Sequence, residues 1–441
     1  MSDPLRAVES MHRVVIVGGG AGGLELATAL GDSLGRRGRA EIVLVDASPT
    51  HLWKPLLHEV AAGSLNSFQD ELNYLAHGRR HGFRFQLGTM EGLDRGTRQI
   101  FVAPIVDDAG RKVVPRRTLS YGTLVLAVGS VSNDFGTPGV QQHCRFLDSR
   151  VEAERLHRDL LFALLRIIAN GDSETELGVA IVGGGATGVE LAAELRHMGD
   201  EFARYGAPVR PDPLRITLVE AADRILSALP ERLATSVAGA LTELGVVILT
   251  NAPVSHVDEL GVHLRSGAVV PAQVKVWAAG VKAPAFLDAI GGLESSRTGQ
   301  ITVRSTLQAT RDDDVFAFGD CAWCPQAPGS DRPVPARAQA AHQQATMLAR
   351  SIRYRLENRP LPEYTYSDFG SLVSLSRYTA LGTLMGGIFR KTHRVEGRLA
   401  RLAYVSLYRM HQMALHGPWR TLILILTSHL QRVTQPSLKM H

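Results

Sequence analysis

The chain has 441 residues and a formal charge of +5, from 48 Lys+Arg against 43 Asp+Glu, with 45% hydrophobic and 21% charged residues. That length predicts two or three domains around a large core, and that composition excludes a disordered, collagen-like or coiled-coil chain. Three cysteines (Cys144, Cys321, Cys324) are too few for a secreted disulfide framework, the stretch Met1–His12 lacks the apolar core of a signal peptide, and no apolar run of about 18–20 residues is present to span a membrane, so a soluble cytoplasmic body is expected.

The elements in chain order are dominated by a duplication. VVIVGGGAGGLELA (Val14–Ala27) and VAIVGGGATGVELA (Val179–Ala192) match at most positions. Each reads as a buried β-run, a Gly-rich turn and a helix, the opening of a βαβ unit. Each is followed by a β-run ending in an acid: EIVLVD, Glu41–Asp46, and RITLVE, Arg215–Glu220. Further β-runs are Leu124–Val128, Val274–Ala278 and Val315–Gly319, the last leading into Asp320. Gln326–Pro335 reads as a loop, and Ala336–Arg355 as a helix. The predicted fold class is α/β with two Rossmann-type dinucleotide-binding domains. The expected boundaries are 12–150 for the first part of one dinucleotide domain, 151–298 for the second dinucleotide domain inserted in it, 299–365 for the second part of the first, and 366–441 for a separate C-terminal region.

Gly18-x-Gly20-x-x-Gly23 and Gly183-x-Gly185-x-x-Gly188 both carry the dinucleotide fingerprint. The first Gly allows the tight turn, the second lets backbone N–H groups approach a pyrophosphate, and the third lets helix and strand pack closely; the helix N-terminus favours the anion. Asp46 and Glu220 are each expected to hydrogen-bond a ribose diol. The Glu220 carboxylate also favours NADH over NADPH by repelling a 2′-phosphate, although Arg224, four residues on, offers a charge that could hold one. Two such domains in one chain suggest a flavoprotein with FAD in the first and NAD in the second. The Gly319–Asp320 turn suits the FAD half closing across the inserted NAD domain.

HLWKPLLHEVAAGSLN (His51–Asn66), the doubled GGGA turns, WAAGVKAP (Trp277–Pro284), FGDCAWCP (Phe318–Pro325), ARAQAAHQQA (Ala336–Ala345), GSLVSLS (Gly370–Ser376), EGRLARLAYVSLYRMHQMALHG (Glu396–Gly417) and the terminal PSLKMH occur in that order. Together they closely resemble the bacterial type II NADH:quinone oxidoreductases, single-subunit flavoproteins related to the pyridine nucleotide–disulfide oxidoreductases. The resemblance covers essentially the whole chain. It implies non-covalent FAD, hydride transfer from NADH, two-electron reduction of a membrane quinone (ubiquinone or menaquinone) without proton pumping, and a peripheral position on the cytoplasmic face of the inner membrane. Two motifs depart slightly. Ala127-Val128-Gly129 replaces a usual Ala-Thr-Gly, and Pro335-Ala336-Arg337 a usual Pro-Pro-Arg; neither removes a reacting group.

The resemblance also implies site residues. Gly18, Gly20, Gly22, Gly23, Asp46, Ala127, Gly129, Gly319 and Asp320 would hold FAD; Gly183, Gly185, Gly188, Glu190, Glu220, Ala279 and Gly280 would serve NADH. Ala338-Gln339-x-Ala341-x-Gln343 matches the pattern that lines the quinone side, with Gln339 and Gln343 on one helix face; close packing on the flavin ring is the alternative. Glu190 is a candidate proton relay. Glu25 holds the same place in the first copy, so a shared structural role is the alternative. Lys54, with Pro55 and His58 nearby, falls in the segment that passes the isoalloxazine in the family, where it could stabilise negative charge or simply be a solvated loop lysine. Cys321-x-x-Cys324 reads as packing thiols, with a redox pair as the alternative. No second CxxC or His pair completes a zinc set, so no metal is expected.

The charge is uneven. Residues 390–441 hold nine Lys/Arg and one acid, Glu396, a net of +8 that leaves −3 for the rest. Arg394, Arg398 and Arg401 fall at i, i+4, i+7, which reads as one helical face. Leu399, Leu402, Met410 and Met413 lie nearby, and LILIL (Leu422–Leu426) follows Trp419 and Arg420. That pattern suits a helix lying in the plane of an anionic membrane rather than crossing it. The expected partners are the quinone, that membrane surface and a second copy in a homodimer, with no nucleic acid. A disulfide reductase would need a redox Cys pair after the first turn, and none precedes Cys144. A sulfide:quinone oxidoreductase would need separated catalytic cysteines. An NADH-binding sensor would not need the quinone-side motif.

Overall fold

A computed structural model describes residues 11–65, 71–170, 175–204, 213–376, 379–386, 389–396 and 398–434. The chain divides into two compact units: Met1–Trp53, Glu71–Val131 and Lys282–Ser367 form one; Lys54–Asp70, Ser132–Val281 and Asp368–His441 form the other. Both are α/β in their centre.

The first unit opens with β1 (Arg13–Val17), α1 (Ala21–Leu30) and β2 (Glu41–Asp46). Val14, Val15, Ile16 and Leu44 are fully buried, as expected of parallel strands covered on both faces. β1 and β2 pair in parallel. The short helix α2 (Leu57–Ala62) belongs to the second unit. β3 (Arg84–Leu87) then adds beside β2, and β4 (Thr123–Leu126) pairs in parallel with the other edge of β1.

The second unit repeats the scheme. After α3 (Arg150–Ala169), β5 (Leu177–Val182) leads into α4 (Ala186–Arg204), β6 (Leu214–Val219), α5 (Glu231–Glu243) and β7 (Val247–Leu249). A meander of β8 (Val254–Val257), β9 (Gly261–Leu264) and β10 (Val269–Pro271) precedes β11 (Val274–Trp277). The parallel sheet runs β7-β6-β5-β11, and the meander is a separate antiparallel sheet. One core joins them: Ala180, Val182 and Trp277 from the parallel sheet pack with Val257, Val262, Leu264 and Val270.

The chain then returns to the first unit. β12 (Gln308–Ala309) and β13 (Asp312–Ala317) complete its sheet in the order β12-β13-β4-β1-β2-β3, and α6 (Ala338–Leu356) follows. Packing groups residues 132–150 with the second unit and 282–298 with the first. The reasons are local: the Trp277 indole donates to the Asn133 carbonyl, Arg145 N donates to the Lys275 carbonyl, and Ala283 N donates to Thr298 O.

The C-terminal region differs from its expected form. β14 (Gly370–Leu375), β15 (Thr379–Gly386) and β16 (Phe389–Glu396) form a three-stranded antiparallel sheet ahead of two helices, α7 (Arg398–His416) and α8 (Pro418–Thr434). Arg394 therefore does not share a helical face with Arg398 and Arg401: it lies on β16, in register with Thr383, and the helix starts only at Arg398. Charge spacing alone could not see the strand. The terminal PSLKMH and the NADH-domain stretch 205–212 lie outside the described residues.

Candidate cofactor sites and a buried acid–imidazole pair

In the first unit the expected FAD residues gather at the carboxyl ends of β1, β2, β4 and β13, where parallel sheets bind ligands. Gly18 has φ +102°, and a Cβ there would collide with the Ala127 carbonyl; one on Gly23 would collide with the Gly18 carbonyl. A Cβ on Gly22 would reach 2.5 Å from the Phe318 ring and 3.1 Å from Ala341 O, so α1 and α6 approach closely only because this position is Gly. At Gly20 nothing lies within 4 Å, which leaves open space at the N-terminus of α1. An N-terminal helix turn with unpaired N–H groups and room beside it suits a diphosphate.

The Asp46 carboxylate accepts from Gly19 N at 2.6 Å and Ser48 N at 2.7 Å. Burial raises its pKa, and those two N–H bonds oppose the rise. The Gly19 carbonyl accepts from Tyr74 Oη at 2.6 Å and lies 2.9 Å from His51 Nδ1. Gly129 and Gly319 both have φ +71°. Asp320 accepts from Ser130 Oγ at 2.8 Å, while Gly319 N donates to the buried Gln344 side chain at 2.8 Å.

The second unit reproduces this design in NADH-domain residues. Gly183 has φ +112° and faces Ala278, a Cβ on Gly188 would strike the Gly183 carbonyl, and Gly185 faces open space. Glu220 accepts from Gly184 N at 2.6 Å and Ala222 N at 2.7 Å, as Asp46 does in the first copy. Each acid thus fixes its own turn and keeps lone pairs for a diol. The turn Ala278-Ala279-Gly280 matches Ala127-Val128-Gly129, with Gly280 at φ +67° under the Phe135 ring. Arg224 donates to Ser227 O at 3.1 Å, which ties its guanidinium to its own loop.

The equivalence of Glu25 and Glu190 ends at sequence. Glu25 pairs with His342 Nδ1 at 2.5 Å, and that bond, opposed by burial, holds the imidazole pKa above its ordinary value. Glu190 is 8% exposed; Ser374 N donates to its Oε1 at 3.1 Å, and its Oε2 lies 3.7 Å from His58 Nδ1. Burial pushes the Glu190 pKa up to about 8, with the charges of Glu59 and Glu194 adding to it against the Ser374 bond. Burial pulls His58 down to about 4. At neutral pH this pair is therefore an uncharged acid beside an uncharged imidazole, not an ion pair. Close by in sequence, Ser64 Oγ donates to Glu194 at 2.8 Å.

Lys54 is half-exposed and reaches Asp148 at 3.4 Å; Asp148 also accepts from Ser132 N. Gln339 and Gln343 do share a face of α6, and both are engaged. Tyr366 Oη donates to Gln339 at 3.1 Å, while Gln343 donates to Ser367 O at 2.7 Å and accepts from Ser367 N at 3.1 Å. Ala338 opens the helix. Cys321 and Cys324 are free, buried thiols, and burial raises their pKa to about 11 and 12, which suits packing rather than thiolate chemistry. Tyr74, His51, Gln344 and Ser130 carry no signal of their own in the sequence, and His58 has no assigned role there. They sit outside the Gly motifs, and only the fold brings them to their partners.

Residues 12–345 match the model of the pyridine nucleotide-disulphide oxidoreductases, and the chain belongs to that family. It is 44% identical, over 98% of its own length and all of the relative's, to the type II NADH:quinone oxidoreductase of Haemophilus influenzae. It is 28% identical, over 86% of its length and 91% of the relative's, to the enzyme of the same name from Staphylococcus aureus. Among solved structures, NDH2 from Plasmodium falciparum in complex with NADH has the same fold, with a TM-score of 0.81 at 16% identity, covering 98% of this chain and 99% of that one.

Proposed function

We propose that this chain is a type II NADH:quinone oxidoreductase. The observation that carries the reading is the pair of glycine turns, each closed by its own carboxylate, in a chain similar over its whole length to enzymes of that name. FAD held by the first unit would accept the hydride of NADH held by the second and supply two electrons to a quinone.

The protein's own residues position and protonate. Gly18, Gly20, Gly22 and Gly23 with Asp46, Ala127, Gly129, Gly319 and Asp320 make the FAD cradle. Gly183, Gly185, Gly188, Glu220, Ala279 and Gly280 make the NADH cradle, and the Glu220 carboxylate disfavours a 2′-phosphate. Quinol formation takes up two protons, and protonated Glu190 with neutral His58 beside it is a store from which one is delivered and through which it is replaced. Lys54 stabilises developing negative charge, and Ala338, Gln339 and Gln343 line the quinone side, where the bonds of Gln339 to Tyr366 and of Gln343 to Ser367 hold that wall in place.

No helix among the described residues is long and apolar enough to cross a membrane. On α8, Trp419 (79% exposed), Leu422, Ile423 and Leu426 (58%) are spaced i, i+3, i+4, i+7 and turn outward beside exposed Arg420. This face docks the protein on the anionic cytoplasmic side of the inner membrane, where the quinone dissolves, and catalysis is not coupled to proton pumping. The exposed Val151, Phe162 and Leu165 of α3 offer one face for a homodimer, which sedimentation equilibrium checks. Steady-state NADH oxidation by FAD-loaded protein with a short-chain quinone tests the activity itself.

A further inference from the structure

The β8–β9 hairpin assembles a group of ligands that lies scattered in the sequence. His256 and His263 are directly opposite each other across the two antiparallel strands, and their rings stack at 4.1 Å between centroids with planes 14° apart. Asp258 follows His256 by two positions, just past the end of β8 at the start of the turn. Its carboxylate lies 2.8 Å from His263 Nε2. One donor atom from each of the three lies within 4.8 Å of the other two. Ligands on a zinc ion at about 2.0–2.2 Å sit somewhat closer together than that. Two stacked, nearly parallel rings do not aim their in-plane lone pairs at one point, so the exposed His256 ring has to swing off the stack about its Nδ1, which Ser255 holds, to bring Nε2 to the ion.

The surroundings orient these donors. Asp258 accepts from Leu260 N at 2.9 Å and Gly261 N at 3.1 Å through Oδ1, while Oδ2 faces His263 Nε2 at 2.8 Å; a cation would displace the proton between those two atoms and take both as ligands. Lys275 Nζ donates to the Asp258 and Glu259 carbonyls, so the turn itself is pinned from below. The single Ser255 hydroxyl proton goes to the His263 carbonyl at 3.1 Å. The 3.1 Å contact between Ser255 Oγ and His256 Nδ1 then requires the proton on His256 Nδ1, which leaves Nε2 with its lone pair. Orientation of a ligand imidazole through its other nitrogen is the usual second layer of a metal site.

We propose that His256, Asp258 and His263 bind a borderline transition-metal ion of the Zn²⁺ class. Two imidazole nitrogens and one carboxylate oxygen select such an ion over Mg²⁺ or Ca²⁺. The remaining coordination positions face solvent on the side of His256. Val257, Val262 and Leu264, which alternate with the ligands, are part of the second unit's core, so the ion clamps a hairpin on which that unit is built. His256, Asp258 and His263 belong to neither glycine turn, and none of them is among the partners of Glu190.

The test uses FAD-loaded full-length protein stripped with a chelator and titrated with ZnCl₂ by calorimetry, with MgCl₂ as the control cation. Co²⁺ substitution, read by visible absorption, reports imidazole ligation. The expected result is one saturable Zn²⁺ equivalent, no Mg²⁺ binding at the same concentrations, a Co²⁺ visible band, and a raised Tm with Zn²⁺. His256→Asn and His263→Asn should each weaken Zn²⁺ by about tenfold or more, should abolish the Zn²⁺-dependent rise in Tm, and should leave NADH:quinone turnover unchanged. Absence of saturable Zn²⁺ binding in the wild type would overturn the proposal, as would equal binding by the double variant. Loss of turnover in the metal-free double variant would also count against a site separate from the chemistry.

Discussion

Glu190 is the residue with the most unusual chemistry, and its titration has a definite sign. Its pKa lies near 8 in the folded chain against 4.5 as a free side chain. Between those values the native state keeps a proton that the unfolded chain has lost. Stability therefore falls as pH rises across that window, by roughly 1.4 kcal/mol for each pH step of one at most, and levels off above about 8. His58 acts on the other side: with its pKa near 4 against 6.5, its burial costs stability as pH falls from 6.5 to 4. Glu190→Gln should remove that fall in stability, and Tm measured from pH 5 to pH 9 reads it; an unchanged slope would mean that the carboxyl is ionised in the native state. The same variant should lower quinone-dependent kcat by about 10²-fold or more and flatten its pH profile near 8, while reduction of FAD by NADH, followed by stopped-flow absorbance, stays intact.

Glu220 is the second residue with a separable role. Charge-assisted hydrogen bonds are worth about 1.5–3 kcal/mol, so Glu220→Gln should raise KM for NADH by roughly tenfold or more and leave FAD content unchanged. The ratio of kcat/KM for NADH over NADPH should narrow because the repulsion is gone. An unchanged ratio would place cofactor choice elsewhere.

At the scale of the element, each βαβ opening depends on backbone approaching backbone. Gly23 and Gly188 have no room for a Cβ, whereas Gly20 and Gly185 face open space. Gly23→Ala should therefore yield protein that loses its flavin absorbance on gel filtration and melts at lower temperature. Gly188→Ala should retain FAD but lose NADH affinity, because its clash is confined to the second unit. These turns are legible in the sequence because the physics is local: a strand, three glycines and an acid lie in one short run. β2 is legible with its observed bounds, Glu41–Asp46, for the same reason. The C-terminal sheet is not. Thr379–Gly386 and Phe389–Glu396 are strands by pairing with each other and with Gly370–Leu375, and the helical spacing of Arg394 from Arg398 is a coincidence of charge. The contact of His58 with Glu190 is hidden too, since it depends on α2 packing beside α4 across more than a hundred residues.

At the scale of the whole molecule, the net charge of +5 is the sum of a mildly acidic catalytic body and a basic tail. Basic groups near anionic lipid add about 1 kcal/mol each, and the exposed Trp419, Leu422, Ile423 and Leu426 add apolar contact. Vesicles of phosphatidylglycerol should co-sediment the wild-type protein in a salt-dependent way. The variant carrying Trp419→Ser, Leu422→Ser and Leu426→Ser should stay in the supernatant and still turn over a water-soluble quinone at the wild-type rate. Co-sedimentation of the triple variant would move the membrane contact off α8.

The most direct measurement is steady-state oxidation of NADH, followed by its ultraviolet absorbance, by FAD-loaded protein with a short-chain quinone as the sole acceptor. Two carboxylate-closed glycine turns on one chain predict NADH loss that requires quinone, saturates in both substrates, and is much slower with NADPH. FAD-loaded, folded protein that oxidises no NADH when quinone is added would contradict an NADH:quinone oxidoreductase.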